Sequence, residues 1–159
     1  MDASQFIFHK KTTFITDYKP FYIITEMQNS KEELENKIQN VIKTIKETGR
    51  EKVRFIMLYG SAARGELTTF SDIDLAVFYD GDENERFDFR VKILGRVWER
   101  FDIQTFQDLP VYIQKDIIST GKIIYFRNYK EIFDIFMKTI KNFENFKPHL
   151  ELYYSAMGV

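Results

Sequence analysis

The chain has 159 residues, 44% of them hydrophobic and 16% aromatic, which excludes a disordered polymer and suits one compact core. Its 23 basic residues stand against 24 acidic ones, so it lacks the basic surface of a protein that tracks a nucleic-acid groove. With no cysteine and only His9 and His149, disulfides, thiolate sites and a zinc site are excluded, and any metal should be hard and oxygen-bound. No apolar run reaches membrane-span length and no signal-peptide pattern opens the chain, so a cytoplasmic protein is expected.

Residues 1–29 are aromatic and β-prone, with Phe6, Phe8, Phe14, Tyr18 and the run Phe21-Tyr22-Ile23-Ile24. They read as an extension to the domain, either a hairpin at a sheet edge or an arm that orders on a partner. Residues 30–159 read as one domain. Ser30 with Glu33 forms a capping box, and Leu34, Ile38, Val41, Ile42 and Ile45 recur at helical spacing as far as Gly49. Val53 to Tyr59 and Ile73 to Tyr79 are apolar runs of strand length, the second ending in Asp80-Gly81-Asp82.

Residues 84–99 look helical, with Phe87, Val91, Leu94 and Val97 or Trp98 facing inward. Phe101 to Phe106 is a third strand, Pro110 suits the first turn of a helix that stops near Gly121, and Lys122 to Phe126 adds a strand. A long helix from Tyr129 carries Ile132, Phe133, Phe136, Ile140 and Phe143 on its packing face, and Pro148 should break or kink it. Ile135, Met137, Phe146, Tyr153 and Tyr154 widen that face, which leaves room for a homo-oligomer or partner surface.

This order describes a small α/β (α+β) fold with a mixed sheet packed by helices. The link between the first two strands is too short for a parallel crossover, so they should pair antiparallel. A full helix joins the second and third strands, which should run parallel. Gly60-Ser61 at the end of strand one then meets Asp72 and Asp74 at the start of strand two, and Asp102 opens strand three on the same rim. Alone, Gly60-Ser61 is a strand-ending turn with a helix cap, and the aspartates are a solvated strand start. Together they read differently. Gly60 lets the backbone approach an anion, and Ser61 with the free N–H groups that follow holds phosphate. Asp72 and Asp74 project from one strand face as an oxygen site for Mg²⁺. Asp102, preferred to Asp108 because it stands at the strand start, completes a two-metal clamp and accepts a proton. Arg64 is read two ways, as a phosphate contact or as the partner of Glu66. Lys122, Arg127 and Lys130 read as scattered surface charge.

Gly60-Ser61, ten residues, then Asp72-Ile73-Asp74 resembles the DNA polymerase β-like nucleotidyltransferase superfamily. The fuller stretches Gly60-Ser61-Ala62-Ala63-Arg64-Gly65-Glu66 and Ser71-Asp72-Ile73-Asp74-Leu75-Ala76-Val77 are similar to its minimal (MNT) branch, whose members are often antitoxins of HEPN/MNT toxin–antitoxin pairs. The resemblance covers residues 30–127, with Phe101-Asp102-Ile103 matching the third-carboxylate strand. It implies the nucleotidyltransferase fold, two Mg²⁺ ions, ATP or another NTP as substrate, and transfer of AMP to a hydroxyl with release of pyrophosphate. It also implies a HEPN-type partner whose tyrosine is the acceptor. Two rival readings are transfer to a small molecule such as an antibiotic, which predicts a deep acceptor pocket, and an antitoxin that acts by contact without catalysis.

Overall fold

The computed structural model describes residues 24–66 and 71–158. Among the described residues, α1 (Ile24–Gly49) leads through a 3₁₀ turn into β1 (Val53–Tyr59) and a short α2 (Gly60–Arg64). Then follow β2 (Ile73–Tyr79), α3 (Glu83–Leu94), β3 (Phe101–Thr105), α4 (Val111–Thr120), β4 (Lys122–Phe126) and α5 (Tyr129–Met157). The strands form one sheet in the order β3-β2-β1-β4. As expected from the connection lengths, β1 pairs antiparallel with β2 and β2 pairs parallel with β3; β4 closes the other side antiparallel to β1.

Both faces of the sheet are covered, which is why its two central strands read as nearly unbroken apolar runs. Val53, Ile56, Leu58, Ile73, Leu75 and Val77 pack under Val41 and Ile45 of α1 and Phe89 and Ile93 of α3. On the other face Phe55, Met57 and Ala76 pack with Phe106, Ile117 of α4 and Ile132 of α5. The ring of Phe55 meets those of Phe106 and Phe136 edge-on at 5.2 and 5.5 Å, a geometry that adds to simple area burial. A register irregularity between Val53 and Phe55 switches the side-chain alternation, so Val53 and Ile56 share one face although they are three residues apart.

The helices depart from the sequence reading in four places. First, α1 covers Ile24–Gly49, so Ser30 and Glu33 are interior positions of the helix and not its start. Glu26, Met27 and Gln28 are good helix formers, and they carry the helix upstream. The expected hairpin or arm of residues 1–29 therefore gives way to helix from 24 onward, and its remainder lies outside the described residues. Second, α3 stops at Leu94 and is turned from the expected phase: it buries Phe89 and Ile93, while Phe87, Val91, Leu94 and Trp98 are exposed. Both sets have i, i+4 spacing, so periodicity alone does not choose between them. Its start is fixed by a capping box in which Asp82 Oδ1 accepts from Glu85 N at 2.9 Å and Asp82 N donates back to Glu85 at 3.1 Å. Third, α5 buries Ile132 and Thr139 and packs Ile135 and Phe136, leaving Phe133, Met137 and Ile140 exposed. Fourth, α5 runs through Pro148 without a break. That residue is exposed, where water can satisfy the carbonyl one turn earlier that loses its N–H partner. Among the described residues no helix is long and apolar enough to cross a membrane.

Candidate active site

The site grows out of the end of β1. Tyr59 is the last strand residue, and Gly60 turns the chain into α2 with φ of +66°, a value that favours glycine. Space imposes the same choice. A Cβ built on Gly60 would overlap Asp74 Oδ2 and lie 3.2 Å from its Cγ, so the backbone of the turn and the Asp74 carboxylate are in direct apposition. Ser61 follows in the first turn of α2, half-buried, and Ala62 and Ala63 anchor the helix in the core.

Register brings the acidic residues to this turn. Tyr59 lies opposite Asp74 across the β1–β2 pair, and Asp74 lies opposite Asp102 across the β2–β3 pair. Tyr59, Asp74 and Asp102 therefore form one row across three strands, on the sheet face that carries Phe55, Met57 and Ala76. Asp72, exposed, stands just before β2. The predicted convergence of Gly60, Ser61, Asp72, Asp74 and Asp102 at one rim is what the structure places there.

The electrostatics follow from this crowding. Burial raises the Asp74 pKa above the ordinary aspartate value; the neighbouring Asp102 and Asp72 carboxylates add to the rise and Arg64 partly offsets it. Tyr59 is pushed up to about 12, mainly by burial and further by Asp74 and Asp102, so its phenol stays neutral at working pH. Asp102 accepts from Gln104 Nε2 through both oxygens, at 2.9 and 3.1 Å, and Arg90 Nη2 lies 4.0 Å from its Oδ1.

Other candidates are placed elsewhere or engaged. Arg64 pairs with Glu66 at 2.9 Å, the second of the two readings left open for it. Asp108 follows β3 at its far end, where it is bound by Arg86 at 2.5 Å and by the Thr105 hydroxyl, whereas Asp102 lies opposite Asp74 at the rim. Arg127 donates to the Glu51 carbonyl at 2.6 Å and Lys130 pairs with Asp134 at 2.6 Å. Lys122 lies opposite Leu58 at the rim end of β4. A groove of about 420 Å³ between α4 and α5 is lined by Val111, Gln114, Asn142, Asn145, Phe146 and His149, and by none of the rim residues.

Chemically, the rim is a set of carboxylate oxygens whose mutual repulsion a divalent cation would relieve, facing a turn that favours glycine. Among the described residues no three acidic or histidine side chains are arranged to enclose an ion by themselves. Mg²⁺ does not require that: it takes one or two carboxylates and completes its shell with water and substrate phosphate. Asp72 and Asp74 fit that role, with Asp102 beside Asp74 across the β2–β3 pair. Sequence reasoning missed Tyr59, Gln104 and Arg90. Alternation from Asp102 would have found Gln104, two residues on and on the same face; nothing in the chain pointed to Arg90, which reaches the rim only through the packing of α3.

Residues 36–130 match the family model described as polymerase beta, nucleotidyltransferase. A Methanocaldococcus jannaschii protein whose proposed name is protein adenylyltransferase is 39% identical over 74 residues, or 46% of this chain and 57% of that protein. The chain thus aligns with little more than half the length of that relative. Among solved structures, a toxin–antitoxin complex with AMP-PNP superposes with a TM-score of 0.62 at 19% identity, over 76% of this chain and 98% of the other. A complex of a tri-AMPylated Shewanella oneidensis HEPN toxin with its MNT antitoxin gives 0.58 at 17% identity, over 76% and 95%. At these identities the likeness is one of fold. The family model covers well over half of the chain, including β1 to β4 and every rim residue, and the chain belongs to the polymerase β-type nucleotidyltransferase family.

Proposed function

We propose that this chain transfers a nucleoside monophosphate, AMP from ATP, to a hydroxyl group on an acceptor, with Mg²⁺ as its metal and pyrophosphate as the second product. The observation that carries the reading is the row Tyr59–Asp74–Asp102 with the Gly60 turn pressed against Asp74. It supports an approach path for phosphate beside a cluster of acids.

In this reading the Gly60-Ser61 turn holds the triphosphate through backbone N–H groups and the Ser61 hydroxyl. Asp72 and Asp74 hold the metal. When bound, one or two Mg²⁺ ions neutralise charge on the triphosphate and acidify the attacking hydroxyl. The acceptor oxygen forms a bond to the α-phosphorus, the bond to the bridging oxygen breaks, pyrophosphate carries away that electron pair, and Asp102 takes the hydroxyl proton. Arg64 leaves Glu66 for a phosphate oxygen. Tyr59 keeps the floor of the site apolar and uncharged beneath Asp74.

The choice of AMP is supported by the relative named as an adenylyltransferase, and the choice of acceptor by the tri-AMPylated HEPN toxin bound to an MNT antitoxin of the same fold. The acceptor is accordingly a tyrosine of a HEPN-type partner, met in the cytoplasm by a single domain spanning residues 30–159. A second reading, an antitoxin that acts by contact alone, is favoured by the exposed Phe133, Met137, Leu152, Tyr153 and Met157 along α5. Incubating the purified chain with labelled ATP, Mg²⁺ and a HEPN-type partner separates them. Label on the partner that is lost with Asp72→Asn supports transfer. Full neutralisation of the partner by Asp72→Asn with no label supports contact.

A further inference from the structure

We infer that Gln104 is a positioning residue for Asp102, and that Arg90 is the fixed counter-charge that completes the arrangement. The inference rests on the reading of Asp102 as proton acceptor and adds what holds that acceptor in place.

Asp102 and Gln104 occupy alternate positions of β3 and share a face. The Gln104 side-chain amide donates to both Asp102 oxygens, at 2.9 and 3.1 Å. A donor that engages both oxygens restrains the rotation of the carboxylate about its last bond, which one single-point hydrogen bond does not do. Gln104 lies one pleat further from the rim than Asp102, so it holds the carboxylate from along its own strand. Asp102 keeps one orientation beside Asp74, across the β2–β3 pair.

Arg90 contributes differently. Its Nε donates to the Ile103 carbonyl at 2.8 Å, on the edge strand of the sheet, and this bond fixes the guanidinium from α3. Its Nη2 then stands 4.0 Å from Asp102 Oδ1, close enough for attraction and too far for a hydrogen bond. A cation tethered to backbone thus stands beside Asp102 without occupying the carboxylate. Gln104 sets direction and Arg90 sets charge.

The test uses the full chain and Mg²⁺-ATP, with pyrophosphate release read in water, which takes the place of the acceptor, and a double-mutant cycle. Gln104→Met keeps the volume of the side chain and removes the donor. The expected result is a roughly tenfold fall in kcat with the KM for ATP unchanged, the size of one hydrogen bond to a charged group. In an Asp102→Ala background the same change should have no further effect, because Gln104 acts only through that carboxylate. Arg90→Met should lower kcat about two- to threefold, and less at high salt.

An NMR readout is independent of turnover. The Gln104 side-chain NH₂ resonances, assigned by their loss in Gln104→Met, should be shifted by the carboxylate in the parent chain and return to ordinary positions in Asp102→Ala. If Asp102→Ala leaves kcat intact, the reading of Asp102 itself fails. If Asp102→Ala lowers kcat but Gln104→Met does not, or the two losses multiply, or the resonances do not respond to Asp102→Ala, the inference is overturned and that reading stands.

Discussion

Replacing Gly60 with alanine tests the geometry of the rim most directly. Two costs are visible. At φ of +66° an L-residue pays about 1–2 kcal/mol for left-handed backbone, and the new Cβ overlaps Asp74 Oδ2, which must leave its rotamer at about 0.5–1.5 kcal/mol. The total, about 1.5–3.5 kcal/mol, is a fraction of the stability of a typical domain and lowers Tm by about 3–14 °C at this chain length. The variant stays folded at 25 °C. Activity should suffer far more, because moving the carboxylate proposed to hold the metal by ~1 Å costs on the order of a hundredfold in rate. Thermal melts followed by circular dichroism and pyrophosphate release with Mg²⁺-ATP measure the two losses. Gly95→Ala is the control: its φ is −74° and the nearest atom to a new Cβ is 3.7 Å away, so neither measurement should fall. A Gly60→Ala protein that melts and turns over like the parent would refute the apposition of turn and carboxylate.

Three further outcomes follow from the charges. Asp74→Asn should abolish transfer yet melt at or above the parent temperature near neutral pH without divalent ions. The raised pKa of Asp74 means that its contribution to stability is present in acid and is lost as pH rises through that value; Mg²⁺ should raise the Tm of the parent and not of the variant. For Tyr59, whose pKa is pushed to about 12, stability should fall as pH climbs from 10 towards 12. Alkaline difference spectroscopy should show a late-titrating tyrosine component, and Tyr59→Phe should remove it. Asp108 is raised by burial but lowered on balance by its bonds from Arg86 and Thr105. Asp108→Asn should therefore cost stability at neutral pH, and urea titrations should show the difference shrinking as pH falls through the carboxylate range.

Much of the sheet was legible because its constraints are local. The length of the link from Gly60 to Asp72 fixes antiparallel pairing, the helix after β2 fixes parallel pairing, and together they place Asp102 beside Asp74. The helix faces were less legible. In α3 the pair Phe87 and Val91 and the pair Phe89 and Ile93 offer the same spacing, and only the approach of α1 across the sheet selects the second. Ser30 and Glu33 carry a capping signal that good helix formers upstream override. Arg90 was invisible for another reason: it reaches Asp102 through a backbone carbonyl on a different element, and such contacts have no sequence spacing to read.

The strand order carries a consequence for motion. Asp74 sits on β2, which is hydrogen-bonded on both sides, whereas Asp102 sits on β3, at the edge of the sheet. Backbone amides flanked by two strands open only with large parts of the fold, while those of an edge strand open by local fraying. Hydrogen exchange should therefore be slowest around Leu75 to Val77 and faster along Phe101 to Thr105. Asp74, proposed to hold the metal, is built into a strand held on both sides, and Asp102, proposed to face the acceptor, rides on an edge strand freer to adjust.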